Sequence, residues 1–149
     1  MDNLQPHGAR EVATLLGGKK VLKRTMTEQH DMREVLRSGL PLDAFESLVK
    51  TIKIPAAEVI KVLGMAPRTF ARRKDHRVFT PAESDRLYRL ARVASMAIQV
   101  LGSVTHARQW LERSNRALGG ETPLSLLDTD IGARQVEAVL GRIEHGVFS

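Results

Sequence analysis

The densest chemistry in the chain lies between Arg68 and Arg77. The run RTFARRKDHR holds five Lys or Arg side chains against one acid. A stripe of cations at that density suits a polyanion partner. Arginine can bridge O6 and N7 of guanine, whereas lysine mostly meets phosphate. Arg68, Thr69 and Arg72 are therefore expected to read bases or touch phosphates closely. Arg73, Lys74 and Arg77 are expected to hold phosphates. A solvated helix face is the bland alternative for the same charges.

Catalytic chemistry finds no such concentration. The histidines stand at 7, 30, 76, 106 and 145, and none has metal-ligand spacing. There is no cysteine, so disulfides, thiolate metal sites and a cysteine nucleophile are all excluded. Asp128 and Asp130 read as capping or turn residues near a helix end. Gly17-Gly18-Lys19 lacks the upstream glycine of a phosphate loop, and Lys20 stands where Ser or Thr would follow. An enzyme, a metal site and a cofactor are not expected.

The elements that must position the basic run are helical. Apolar residues make up 42 % of 149 and aromatics only 4 %, a composition poor in strand runs. Glu11–Leu16 predicts a short helix stopped by Gly17-Gly18, with Lys19–Thr27 extended. Thr27 would cap a helix over 28–37, and Pro41 would sit near the first turn of one reaching about Lys53. Pro55 opens the next, ended by Gly64, and Pro67 opens another over about 68–74. This is a helix-turn-helix layout, with Gly64 permitting the left-handed turn and Phe70 anchoring the second helix. Leu63 and Met65 would pack beneath it. Ile60 departs from the small residue usual four positions before the turn glycine.

Thr80-Pro81-Ala82-Glu83 predicts a capping box and a helix to Leu101, stopped by Gly102. Its apolar face is Leu87, Leu90, Ala91, Ala94, Ile98 and Leu101. Helices over 105–113, 122–127 and 132–145 follow, the last begun by Gly132, with Trp110 packed in the core. The stripe of the last is Val136, Val139, Leu140 and Ile143. The tip after it, Val147-Phe148, is apolar and must fold back or meet a partner. The reading divides the chain into an N-terminal segment (1–27), a helix-turn-helix domain (28–84) and a C-terminal domain (85–149). Net charge is +6. No stretch approaches the roughly 20 apolar residues of a membrane span, and MDNLQPHGAREV lacks a signal peptide's apolar core. The expected location is the cytoplasm.

These pieces, in order, carry a resemblance: LLGG, LGMAPRTFARR, TPAESDRLYRLARV, A-x-x-WL at Ala107–Leu111, LGGETPLSLL, the lone Gly132, and RIEHGVFS. The chain resembles the Xre/MbcA/ParS-like antitoxins, partners of RES-domain toxins, over nearly its whole length. The resemblance implies an all-α fold, an Xre-like helix-turn-helix bundle followed by a small helical toxin-binding domain. It implies a cytosolic, dimeric antitoxin whose cognate RES-domain toxin resembles ADP-ribosyltransferases and consumes NAD. The C-terminal end would block the toxin's active-site entrance, and the complex would bind its own promoter as operator DNA. Carried over, Arg142, Glu144, Gly146, Val147, Phe148 and Ser149 become the toxin contacts. Two other readings stay open: a stand-alone helix-turn-helix repressor whose C-terminal unit only dimerises, and an antitoxin whose middle domain has lost DNA binding.

Overall fold

The computed structural model describes residues 6–26 and 29–146. Nine α-helices and two 3₁₀ turns make up these residues: α1 Pro6–Leu15, α2 Gly18–Leu22, α3 Gln29–Ser38, α4 Leu42–Ile52, α5 Ala56–Val62, α6 Pro67–His76, α7 Pro81–Leu101, α8 Val104–Leu111 and α9 Asp130–Glu144. The 3₁₀ turns, Arg116–Leu118 and Leu124–Asp128, lie between α8 and α9. The chain is all-α, as its composition and helical spacing predict.

Helix α7 is the spine. Thr80 and Glu83 form the predicted capping box, and Gly102 ends the helix in the left-handed region at φ 92°. Leu87, Leu90, Ala91 and Ala94 are buried as expected, while Ile98 and Leu101 are half-buried. Helices α1, α3, α4, α8 and α9 and the second 3₁₀ turn all pack on it. One continuous core runs from Val12 to Leu140. The N-terminal residues belong to that core through Val12, Leu16, Leu22 and Met26.

A small clasp joins the ends of the α4–α6 unit. Phe79 N–H donates to Leu40 O at 2.9 Å and Leu42 N–H to Arg77 O at 3.0 Å. The buried Ser84 hydroxyl accepts from Leu40 N–H at 2.7 Å. Gly39 sits at φ +94°, and a Cβ there would lie 2.3 Å from Phe79 O. Only glycine meets both demands.

Several boundaries differ from expectation. Lys19–Leu22 is helical rather than extended, because Val21 folds beneath Gly17 and Leu22 is buried. The predicted Thr27 cap lies outside the described residues. Helix α6 runs two residues further, to His76, where Arg77 caps it at φ 64°. Thr122–Leu127 is not an α-helix: Thr122 Oγ1 does accept from Ser125 N–H at 3.2 Å, but only a 3₁₀ turn follows. Gly132 does not begin α9. Thr129 is the cap, and its hydroxyl accepts from Gly132 N–H at 3.0 Å.

Candidate nucleic-acid and protein interfaces

Helices α5 and α6 meet at Gly64, at φ +71°. Phe70 is half-buried against Phe45, ring centroids 5.0 Å apart, and so turns its helix as predicted. Leu63 and Met65 are buried beneath, and Ile60 is accommodated half-buried at the edge of the core. With Phe70 inward, Arg68 and Arg72 stand one turn apart on the exposed side. Lys74 is exposed on the flank and Thr69 is half-buried. Among the described residues Arg68, Arg72 and Lys74 carry no ion pair, so their charges are open to a partner.

Arg73 and Arg77 are different. Arg73 Nε and Nη2 donate to the two carboxylate oxygens of Glu83 at 2.6 and 3.0 Å. The side chains are 17 % and 9 % exposed. Arg73 thereby pins α6 to the start of α7 rather than standing free for phosphate. Arg77 Nη2 donates to Asp43 at 2.6 Å and lies 4.0 Å from Glu46. That pair is exposed and contributes little.

Glu83 serves two structures at once. It accepts from Thr80 N–H at 2.9 Å in the capping box and from Arg73. Burial pushes its carboxyl pKa up, but the Arg73 and Thr80 bonds outweigh that and hold it below the ordinary value. A lowered folded pKa stabilises above the unfolded pKa of about 4.3, and that stabilisation is lost as pH falls through the folded value. Glu83→Ala should cost about 2 kcal/mol at pH 7, through the cap and the lost charged hydrogen bonds. Thermal melts of wild type and variant should converge towards pH 3; an equal gap at both pH values would contradict this account.

Three further arginines of α7 reach other elements, and no spacing rule singled them out. Arg86 Nη1 donates to Leu63 O at 3.2 Å, beside the helix-turn-helix bend. Arg89 Nη1 reaches Leu127 O at 3.4 Å. Arg92 binds Glu137 of α9 through both oxygens at 2.7 and 3.3 Å.

The far end of the molecule is built by α9 and the 3₁₀ turns. Val136, Val139 and Leu140 are buried, and Ile143 is half-buried. Arg142, Glu144 and Gly146 are exposed, Gly146 with φ +72°. Val147, Phe148 and Ser149 lie outside the described residues. Gly119 and Gly120 turn the connecting loop with φ 69° and 86°. Trp110 is half-buried against the core rather than fully enclosed. Between the turns and α9 lies an open groove of about 440 Å³, floored by Leu118, Leu126 and Val139. Asp130 pairs with Arg134 at 2.9 Å in the first turn of α9. Among the described residues no group of three His, Asp or Glu is placed to hold a metal ion. No helix among them is long and apolar enough to cross a membrane.

Comparison with known proteins places both regions. The Antitoxin Xre-like helix-turn-helix domain matches residues 31–92, and the Antitoxin Xre/MbcA/ParS C-terminal toxin-binding domain matches residues 96–146. Antitoxin Xre of Yersinia enterocolitica is 37% identical over 116 residues, covering 76% of this chain and 78% of the relative. The chain belongs to the Xre antitoxin family. Antitoxin Xre of Photorhabdus laumondii is 34% identical over 120 residues, 79% of this chain and 81% of the relative. Antitoxin Xre of Pseudomonas putida is 40% identical over a shorter stretch of 67 residues, 45% of this chain and 42% of the relative.

The two matched regions of this antitoxin meet inside α7, not in a linker. The second 3₁₀ turn, from the toxin-binding region, also packs directly on α5 of the helix-turn-helix.

Proposed function

We propose that this antitoxin binds and blocks a RES-domain, NAD-consuming toxin through its C-terminal region, and represses its own operon through α6. It works as a cytoplasmic homodimer. The observation that carries the reading is the match of residues 96–146 to a toxin-binding domain. Helix α9 of that region ends at Glu144; Arg142, Glu144 and Gly146 are exposed and, with Val147, Phe148 and Ser149, are the proposed toxin contacts. The RES identity and the NAD chemistry rest on the family resemblance of the sequence. The test looks for a RES-domain protein encoded by the neighbouring gene and co-expresses the two: the antitoxin should restore growth and cellular NAD. Absence of rescue would return the chain to the reading of a stand-alone repressor.

On the DNA side, Arg68, Thr69, Arg72 and Lys74 form the contact set, and Arg73, paired with Glu83, holds the helix that presents them. Arg72→Ala and Lys74→Ala should weaken binding to upstream DNA in a mobility-shift assay. Each lost phosphate contact should shallow the salt slope by about 0.9. Arg73→Ala should instead lower the melting temperature. Unchanged affinity in both Arg72→Ala and Lys74→Ala would remove the DNA assignment.

A further inference from the structure

The helix-turn-helix and toxin-binding matches begin at residues 31 and 96, so α1 and α2 lie outside both. These two helices are not a loose arm. Val12, Leu15, Leu16, Leu22 and Met26 are buried in the common core. Ser47 Oγ of α4 donates to Leu15 O at 3.2 Å. Helix α2 packs on α4, the helix whose Phe45 also holds Phe70 of α6. The surface that α2 presents therefore belongs to the same packed unit as the helix-turn-helix.

That surface carries charge of one sign. Residues 17–26 hold Lys19, Lys20, Lys23 and Arg24 and no acid. Residues 47–55, the second half of α4 and its turn, hold Lys50 and Lys53 and no acid. Arg24 is taken by Asp31 at 3.2 Å. The five lysines are exposed, and among the described residues they carry no ion pair. Lys23 and Lys53 add a second observation. Each closes its helix in the left-handed region, at φ 67° and 59°, where glycine or asparagine is the usual residue. Both positions accept backbone strain and keep a cation. The helix dipole favours a cation at such an end, but α2, with five residues, has little dipole to answer three lysines.

We propose that the lysines of α2 and α4 form a second nucleic-acid contact, binding phosphates of the duplex that flanks the site met by α6. This rests on the reading that α6 binds DNA. Lysine is a point charge that suits phosphate rather than base edges. The surface therefore adds affinity and fixes orientation without reading sequence. A protein partner fits it less well. Protein interfaces are depleted in lysine and centred on buried apolar or aromatic anchors. Among the described residues, the large apolar side chains left exposed are Val78 and Ile131, on neither α2 nor α4.

The test measures binding of the full chain to a duplex of the DNA upstream of its gene, as a function of salt. One variant combines Lys19→Gln, Lys20→Gln and Lys23→Gln. A second combines Lys50→Gln and Lys53→Gln, and Arg72→Ala is the control for α6. The salt slope should become shallower by about 2.7 in the first and about 1.8 in the second, about 0.9 for each phosphate contact. The fold loss should be the same on an unrelated duplex, because phosphate contacts read no sequence. Lys23→Gly separates charge from structure. Glycine accepts the left-handed turn, so the melting temperature should hold or rise while the slope becomes shallower by about 0.9. A wild-type slope in either combined variant overturns the surface, and impaired binding by Arg72→Ala in the same assay leaves the α6 reading intact. A lower melting temperature with an unchanged slope in Lys23→Gly assigns that lysine to the helix end. Weakened toxin capture at unchanged DNA affinity assigns the surface to a protein; either result overturns the proposal. If the wild-type chain binds no duplex, the α6 reading fails and this surface with it.

Discussion

Gly132→Ala should lower the melting midpoint sharply, far more than the same exchange at Gly141 of the same helix. A Cβ at 132 would lie 1.9 Å from Leu126 O and 2.9 Å from its carbonyl carbon. Those atoms are backbone, so no side-chain rotation relieves the contact. The second 3₁₀ turn must back away from α9, drawing the buried Leu124 and Leu127 with it. Overpacking of this kind costs about 3 kcal/mol, or about 6–12 °C for a chain of this size. Because Leu126 lies in the region matched to a toxin-binding domain, toxin affinity should fall as well under the proposed role. Gly141 supplies the control on the same helix. Nothing lies within 4 Å of a Cβ there, so Gly141→Ala should stabilise by about 0.5–1 kcal/mol. Calorimetry or a circular-dichroism melt checks both signs. Equal midpoints for the two variants would contradict the close approach at 132.

Deleting Val147 to Ser149 should have the largest effect on function and almost none on the fold. Among the described residues the core ends at Leu140, and the last helix is closed by His145, whose N–H bonds Gly141 O at 3.1 Å. Under the proposed blocking role, the truncated chain should fail to protect cells expressing the toxin while melting at the wild-type temperature. Full protection by the truncated chain would sink the plug. The two experiments thus separate causes: Gly132→Ala loses shape and function together, and the deletion loses function alone.

Much of the molecule was legible in the chain because helix ends are written locally. Thr80, Pro81 and Glu83 mark a start within four residues, and the box they predict is present with both of its hydrogen bonds. Gly64 and Gly102 announce left-handed turns that lie where they stand. Lys19–Leu22 is helical where local propensity favours an extended run, because its helix depends on Val21 tucking under Gly17 and Leu22 reaching the core, contacts no local propensity encodes. Gly132 was legible as special but not for the right reason. It looked like a helix start, and it is the point where another segment's carbonyl presses on the helix.

The sequence by itself determined the all-α class, the helix-turn-helix, most caps and the basic character of α6. Spacing and capping chemistry act over a few residues, so they survive without knowledge of the fold. Only the tertiary structure decided which of the α6 cations are free. Arg68, Arg72 and Lys74 face outward, whereas Arg73 is taken by Glu83, ten residues on and across a helix boundary. Only the tertiary structure also made the groove, since its walls come from residues 117–126 and 135–142. Ion pairs and clefts depend on which surfaces packing brings together, and that is set by burial of the whole core rather than by any one segment.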